Sequence, residues 1–267
     1  MAPDPQCYFS VLGRTDNPWA DMQNFIHDQM YPRFATGFTA RCAVLLVLLC
    51  LVVLISFLYL FVTIRDTRRK GRKVWLARIV RRPAGRYFVV NQYLSYPLFS
   101  ILLGAIWIAY TAYIYTMFGP SQGNPRSLFY WLSLGWMPFF ALLATTTFST
   151  TSSANLASRG RKPNTHRLGP WTSFAIFVVL LPVLLSLVLG LGIWTGLRWH
   201  VFASNWQRAF DYLGEQAAAY GGGALDEAAV QRASDLLMTR CVTAGAWHDA
   251  QLVQSIVYIV ASVVLLL

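Results

Sequence analysis

The sequence predicts an all-α fold: a polytopic transmembrane helix bundle of four spans plus a fifth at the C-terminus, with a helical hairpin in the last outer loop. Three observations predict it. Of 267 residues, 56% are hydrophobic and only 12% charged, where a soluble domain averages about 25% charged. The apolar residues are not scattered but fall into charge-free blocks, Cys42–Ile64, Tyr87–Pro125, Ser127–Ser158, Leu168–Leu197 and Ala250–Leu267. About 20 apolar helical residues cross a hydrocarbon core of about 30 Å. Finally, the net charge of +11 is concentrated in two of the connecting segments.

Those segments set the expected orientation. Residues 65–92 carry Arg65, Arg68, Arg69, Lys70, Arg72, Lys73, Arg78, Arg81, Arg82 and Arg86 against Asp66 alone, and residues 150–170 carry Arg159, Arg161, Lys162 and Arg167 with no acid. Cytoplasmic loops collect Lys and Arg, so both basic loops are expected inside and the N-terminus outside. The expected order is an extracytoplasmic segment 1–41, span one 42–64, a basic loop 65–92, span two 93–118, a short outer loop 119–127, span three 128–149, a basic loop 150–170, span four 171–197, an outer loop 198–249 and span five 250–267. Residues 1–39 hold Asp4, Asp16, Asp21 and Asp28 and lack the apolar region of a signal peptide. Span one is therefore expected to insert as a reverse anchor into a secretory-pathway membrane, most simply the plasma membrane.

Each element has its own pattern. Span one is a Leu/Val run. Span two has Tyr93 and Tyr96 at one end and Tyr110, Tyr113 and Tyr115 towards the other, resembling interfacial aromatic belts. Span three ends in a hydroxyl run, Thr145–Ser153, readable as an interfacial fringe or as the lining of a polar cavity. Span four has Pro182 near its middle, where proline kinks a helix. Its Gly192 and Gly196 form a small-xxx-small spacing that lets another helix approach. In the outer loop, Trp206, Ala209, Phe210, Leu213, Ala217 and Tyr220 form one amphipathic stripe, and Leu225, Val230, Ala233, Leu237 and Cys241 another. Gly221–Gly223 separates them. This predicts the hairpin, either as a lid on a ligand cavity or as a structural cap.

The final block stops without interfacial anchors. A truncated chain, a true end at Leu267 and a lipid-anchor signal after Ala244–Ala246 are each compatible with it.

Few residues point to chemistry. His27, His166, His200 and His248 all fall outside the spans and lack a second ligand at metal spacing. No nucleophile or phosphate-loop motif occurs. The expectation is a protein that is not an enzyme, with no catalytic residues, no cofactor, no metal and no nucleic-acid partner. Cys7 and Cys241 both fall outside under this topology and are candidates for a disulfide. In the first basic loop, Arg68, Arg69, Lys70, Arg72, Lys73, Trp75, Arg78, Arg81 and Arg82 could lie on anionic inner-leaflet lipid as a short amphipathic helix. They could also meet a cytosolic partner, or only set topology. The expected function is that of a receptor- or sensor-like membrane protein, the alternatives being a transporter or channel subunit and a structural scaffold. The layout resembles that of the first five helices of a seven-helix receptor, without an Asp-Arg-Tyr type of motif at Thr145–Ser153.

Overall fold

A computed structural model describes residues 16–31, 37–82, 85–118, 125–157, 179 and 181–266, without the side chains of 81–88, 150–157 and 264–266. Among the described residues there are six α-helices and one strand pair: α1 (Pro18–Met30), α2 (Phe38–Arg69), β1 (Ala77–Arg82), β2 (Gly85–Val90), α3 (Gln92–Phe118), α4 (Leu128–Ala157), α5 (Leu181–Ala219) and α6 (Glu227–Leu266). A single 3-10 turn, Pro125–Ser127, leads into α4. Four helices are long and apolar enough to cross a membrane: α2, α3, α5, and α4 together with the turn before it. The chain is thus compatible with an integral membrane protein. The expected fifth span corresponds to the second half of α6, which is not among those four.

Consecutive long helices are neighbours, α2 on α3, α3 on α4, α4 on α5 and α5 on α6, with a lesser contact between α4 and α6. Small residues permit the close approaches. A Cβ added to Gly104 of α3 would collide with Val53 of α2, and one on Gly135 of α4 would lie 3.3 Å from the Trp107 ring of α3. None of the most apolar stretch of α2 is buried, against 44% of that in α4. The row therefore has α2 at its edge and α4 near its middle.

Two expectations change. The stripes of residues 198–249 do not make a separate hairpin over the bundle. α5 continues unbroken from Leu181 to Ala219 and α6 from Glu227 onward, and each stripe is the far end of a long helix. Arg198 and His200 mark a change of surroundings, but nothing between Leu197 and Ala219 breaks a helix. The turn comes at Gly221–Gly223, where Gly222 takes φ +84°. The Asp226 carboxylate then accepts from the Ala228 amide to start α6.

The second change is α1, a helix the sequence pattern did not single out. The Asn17 side-chain oxygen accepts from the Ala20 amide at 3.2 Å, and Pro18 follows in the first turn. Trp19, Met22, Ile26 and Met30 share its buried face. The first three pack with Ala209 and Leu213 of α5 and with Ala229, Ala233 and Leu237 of α6. Polar contacts fix the seat. Asn17 Nδ2 donates to the Ala217 carbonyl (3.0 Å), Gln23 Nε2 to that of Phe210 (3.2 Å), and the Trp206 indole to that of Ile26 (3.1 Å). Arg240 of α6 donates to Gln29, and burial pulls its guanidinium below its ordinary pKa. Beneath this three-helix unit an aromatic layer of Phe129, Trp199, Phe202 and Trp247 joins α4, α5 and α6, with ring centroids 4.8 to 6.0 Å apart. The Trp199 indole donates to the Pro125 carbonyl at 2.6 Å.

Candidate functional site

At the opposite end of the row, α2 runs out in a dense series of bases. It terminates at a glycine: Gly71 adopts φ +64°, its amide donates to the Arg68 carbonyl (3.0 Å), and the Arg72 amide donates to that of Thr67 (3.1 Å). This is the 5→2 and 6→1 pairing of a Schellman ending. The expected amphipathic helix does not follow. After residues 72–75, β1 and β2 pair antiparallel from Ala77↔Val90 to Arg82↔Gly85. The β-branched pairs Ile79-Val80 and Val89-Val90 favour strand over helix.

The open end of this hairpin is clasped by Asn91. Its side-chain amide donates to the Trp75 carbonyl (3.1 Å), and its backbone amide to that of Leu76 (2.8 Å). Its own carbonyl accepts from the amides of Leu94 and Ser95, starting α3. Val90 is buried, and its carbonyl accepts from Ser149 of α4 at 3.4 Å. The hairpin is therefore held at its base by two spans.

The structure places Arg68, Arg69, Lys70, Arg72, Lys73 and Arg78 exposed along this segment. Lys70 pairs with Asp66 at 2.6 Å. The Arg78 guanidinium lies 4.2 Å from the half-buried Trp75 ring. The side chains of Arg81 and Arg82 lie outside the described residues, although the register sets Arg81 opposite Arg86. Val74, Leu76 and Ile79 are also exposed, Ile79 at 57%.

Other candidates lie apart from this end. Pro182 follows Leu181, the first described residue of α5; residues 171–178 and 180, which precede it in the expected span, lie outside the described residues, and the expected kink with them. A Cβ on Gly192 would lie 2.6 Å from that of Ser133, and one on Gly196 would lie 2.5 Å from the Tyr130 ring, both on α4. Cys241 is free and exposed on α6, and Cys7 lies outside the described residues.

Of the hydroxyl run, Thr145 and Thr146 donate to the Ala141 and Leu142 carbonyls of their own helix. A polar cluster that the sequence did not single out lies between α4, α5 and α6. The buried Gln254 donates to Ser133 (3.0 Å) and to the Tyr258 hydroxyl (2.7 Å), and Tyr258 donates to the Val188 carbonyl (3.3 Å). Beside it runs a groove of about 480 Å³, floored by Phe129, Leu132 and Trp136 and walled by one face of α6. Its sequence signal is a polar stripe at helical spacing within an apolar run: Gln251, Gln254, Ser255, Tyr258 and Ser262.

No protein-family model matches the chain, and no curated protein or solved structure is significantly similar to it.

Proposed function

We propose that the chain is a multi-pass integral membrane protein of receptor or sensor type, with the α1 end outside and the basic hairpin end in the cytosol. The observation that carries this reading is the continuity of α5 and α6. Both helices leave the three-helix unit and run unbroken alongside the spans. A displacement of α1 is then a displacement of two rods, not of a loop. The second half of α6 serves as a fifth span: its charge-free stretch lies against the apolar part of α5, with Ala261 packed on Val188 and Phe140. The lopsided charge supports the orientation, and a secretory-pathway membrane, most simply the plasma membrane, follows from it.

A transporter or channel reading would need polar groups facing a pathway. Thr145 and Thr146 bond to their own helix, and Gln254 to its neighbours, which supports packing instead. A scaffold reading draws on α2, whose exposed length packs against α3.

Two measurements test the proposal. A glycosylation acceptor sequence inserted in the Gly221–Gly223 turn should be modified in cells, and one inserted at Gly71 should not; the reverse pattern would invert the topology. Hydrogen exchange then tests coupling in reconstituted protein. Releasing α1 with Trp206→Ala should alter exchange around Val90–Asn91. Unchanged exchange there would remove the sensor reading and leave the scaffold one.

A further inference from the structure

From the hairpin end we infer that residues 68–79 form a docking surface for the anionic phospholipid headgroups of the leaflet in which α2 ends. The inference rests on the reading of α2 as a span, and not on which side of the membrane its end faces.

Position is the first argument. Charge-free residues run to Ile64, and α2 continues to Arg69. At 1.5 Å per residue this carries Arg68 and Arg69 only about 6–8 Å past the last apolar residue. That is within the Debye length of about 8 Å at physiological salt. Charge complementarity is the second. The single acid nearby, Asp66, is already paired with Lys70, so Arg68, Arg69, Arg72, Lys73 and Arg78 face outward with no carboxylate among the described residues of the segment.

The third argument separates a membrane from a soluble acidic partner. Val74, Leu76 and Ile79 lie among the bases and are 39%, 45% and 57% exposed. Exposed aliphatic side chains between cations, with Arg78 over the Trp75 ring, match the composition of segments that lie in a headgroup interface. Asn91 and Ser149 fix the base of the hairpin to α3 and α4. The surface is therefore presented at a constant depth and does not trail as a loose tail. The consequence is regulatory: headgroup charge bears on the ends of α3 and α4 through Asn91 and Val90.

The test uses the full chain carrying Ile79→Cys, labelled with an environment-sensitive fluorophore after all four native cysteines, Cys7, Cys42, Cys50 and Cys241, are replaced by Ser. The protein is reconstituted in phosphatidylcholine vesicles with increasing phosphatidylserine in both leaflets, which makes the result independent of orientation. The label should shift to the blue as phosphatidylserine rises and return at high salt. Neutralising Arg72, Lys73 and Arg78 to Gln should weaken the response about a hundredfold, at about fivefold for each charge. These side chains are exposed, so an unchanged thermal unfolding midpoint would show that the fold persists. A label that stays in water at every lipid composition would overturn the inference and leave a soluble acidic protein as the partner. A shift that is independent of phosphatidylserine and salt would overturn it equally, as plain apolar insertion.

Discussion

The three-helix unit around α1 and the edge helix α2 are built from the same kinds of apolar residue and treat them in opposite ways. Trp206 and Leu213 are 2% and 1% exposed, whereas Ile55 and Phe57 of α2 are 63% and 57% exposed. Composition does not explain the difference. In water, an apolar face must find another face, and α1 supplies one with four side chains on a single stripe. In hydrocarbon, an exposed leucine loses nothing relative to a buried one, and association depends on close packing and hydrogen bonds. With α2 read as a span, burial in this molecule reports the surrounding solvent as much as the importance of the residue.

The comparison can be broken most directly at its buried pole. Trp206→Ala removes a ring stacked on Phe210 at 5.2 Å and the hydrogen bond to Ile26. It should cost about 3–5 kcal/mol and free α1, read as a lowered unfolding midpoint and new protease cleavage near Pro18–Met30. Next come the glycines of α5. Gly196→Ala forces a methyl against Tyr130 and should destabilise by about 1–3 kcal/mol. Gly190→Ala meets nothing within 4 Å and should stabilise the helix by about 0.5–1 kcal/mol; equal effects would mean that α4 and α5 do not pack as described.

A smaller effect is expected at Gln254→Leu, which deletes one bond to Ser133 of α4 and one to Tyr258 within α6, at about 0.6 kcal/mol each. Denaturant titration in micelles would detect it, and a loss of several kcal/mol would place Gln254 in a more critical role than helix packing. The smallest belongs to α2. Ile55→Ala should change the unfolding free energy by less than about 0.5 kcal/mol. A loss of core size there would reveal that something other than lipid covers this helix.

The four apolar helices were legible because charges are so costly in hydrocarbon that their absence over 20 residues has one ready explanation. The strand pair was not. Arginine outnumbers every other signal between Arg65 and Arg86, and charge reports location, not backbone conformation. The β-branched pairs at residues 79–80 and 89–90 were the available clue. The face of α1 escaped for a different reason: four apolar residues among Asp21, Gln23, Asn24, His27 and Asp28 become a stripe only once the helix is drawn. Of the basic surface, the residues were readable from the sequence, but the clasp was not, since Asn91 acts through carbonyls 15 and 16 residues earlier in the chain.

The seat of α1 bears on how the chain is made. Asn17, Gln23 and Ile26 meet partners 200, 187 and 180 residues later. Translation proceeds at roughly 5–20 residues per second, so α1 emerges about 10–40 seconds before the helices that cover it. Throughout that interval Trp19, Met22 and Ile26 have no permanent place. Docking of α1 can follow only once α5 and α6 have both been made, so the seat of α1 completes after the helices that form it.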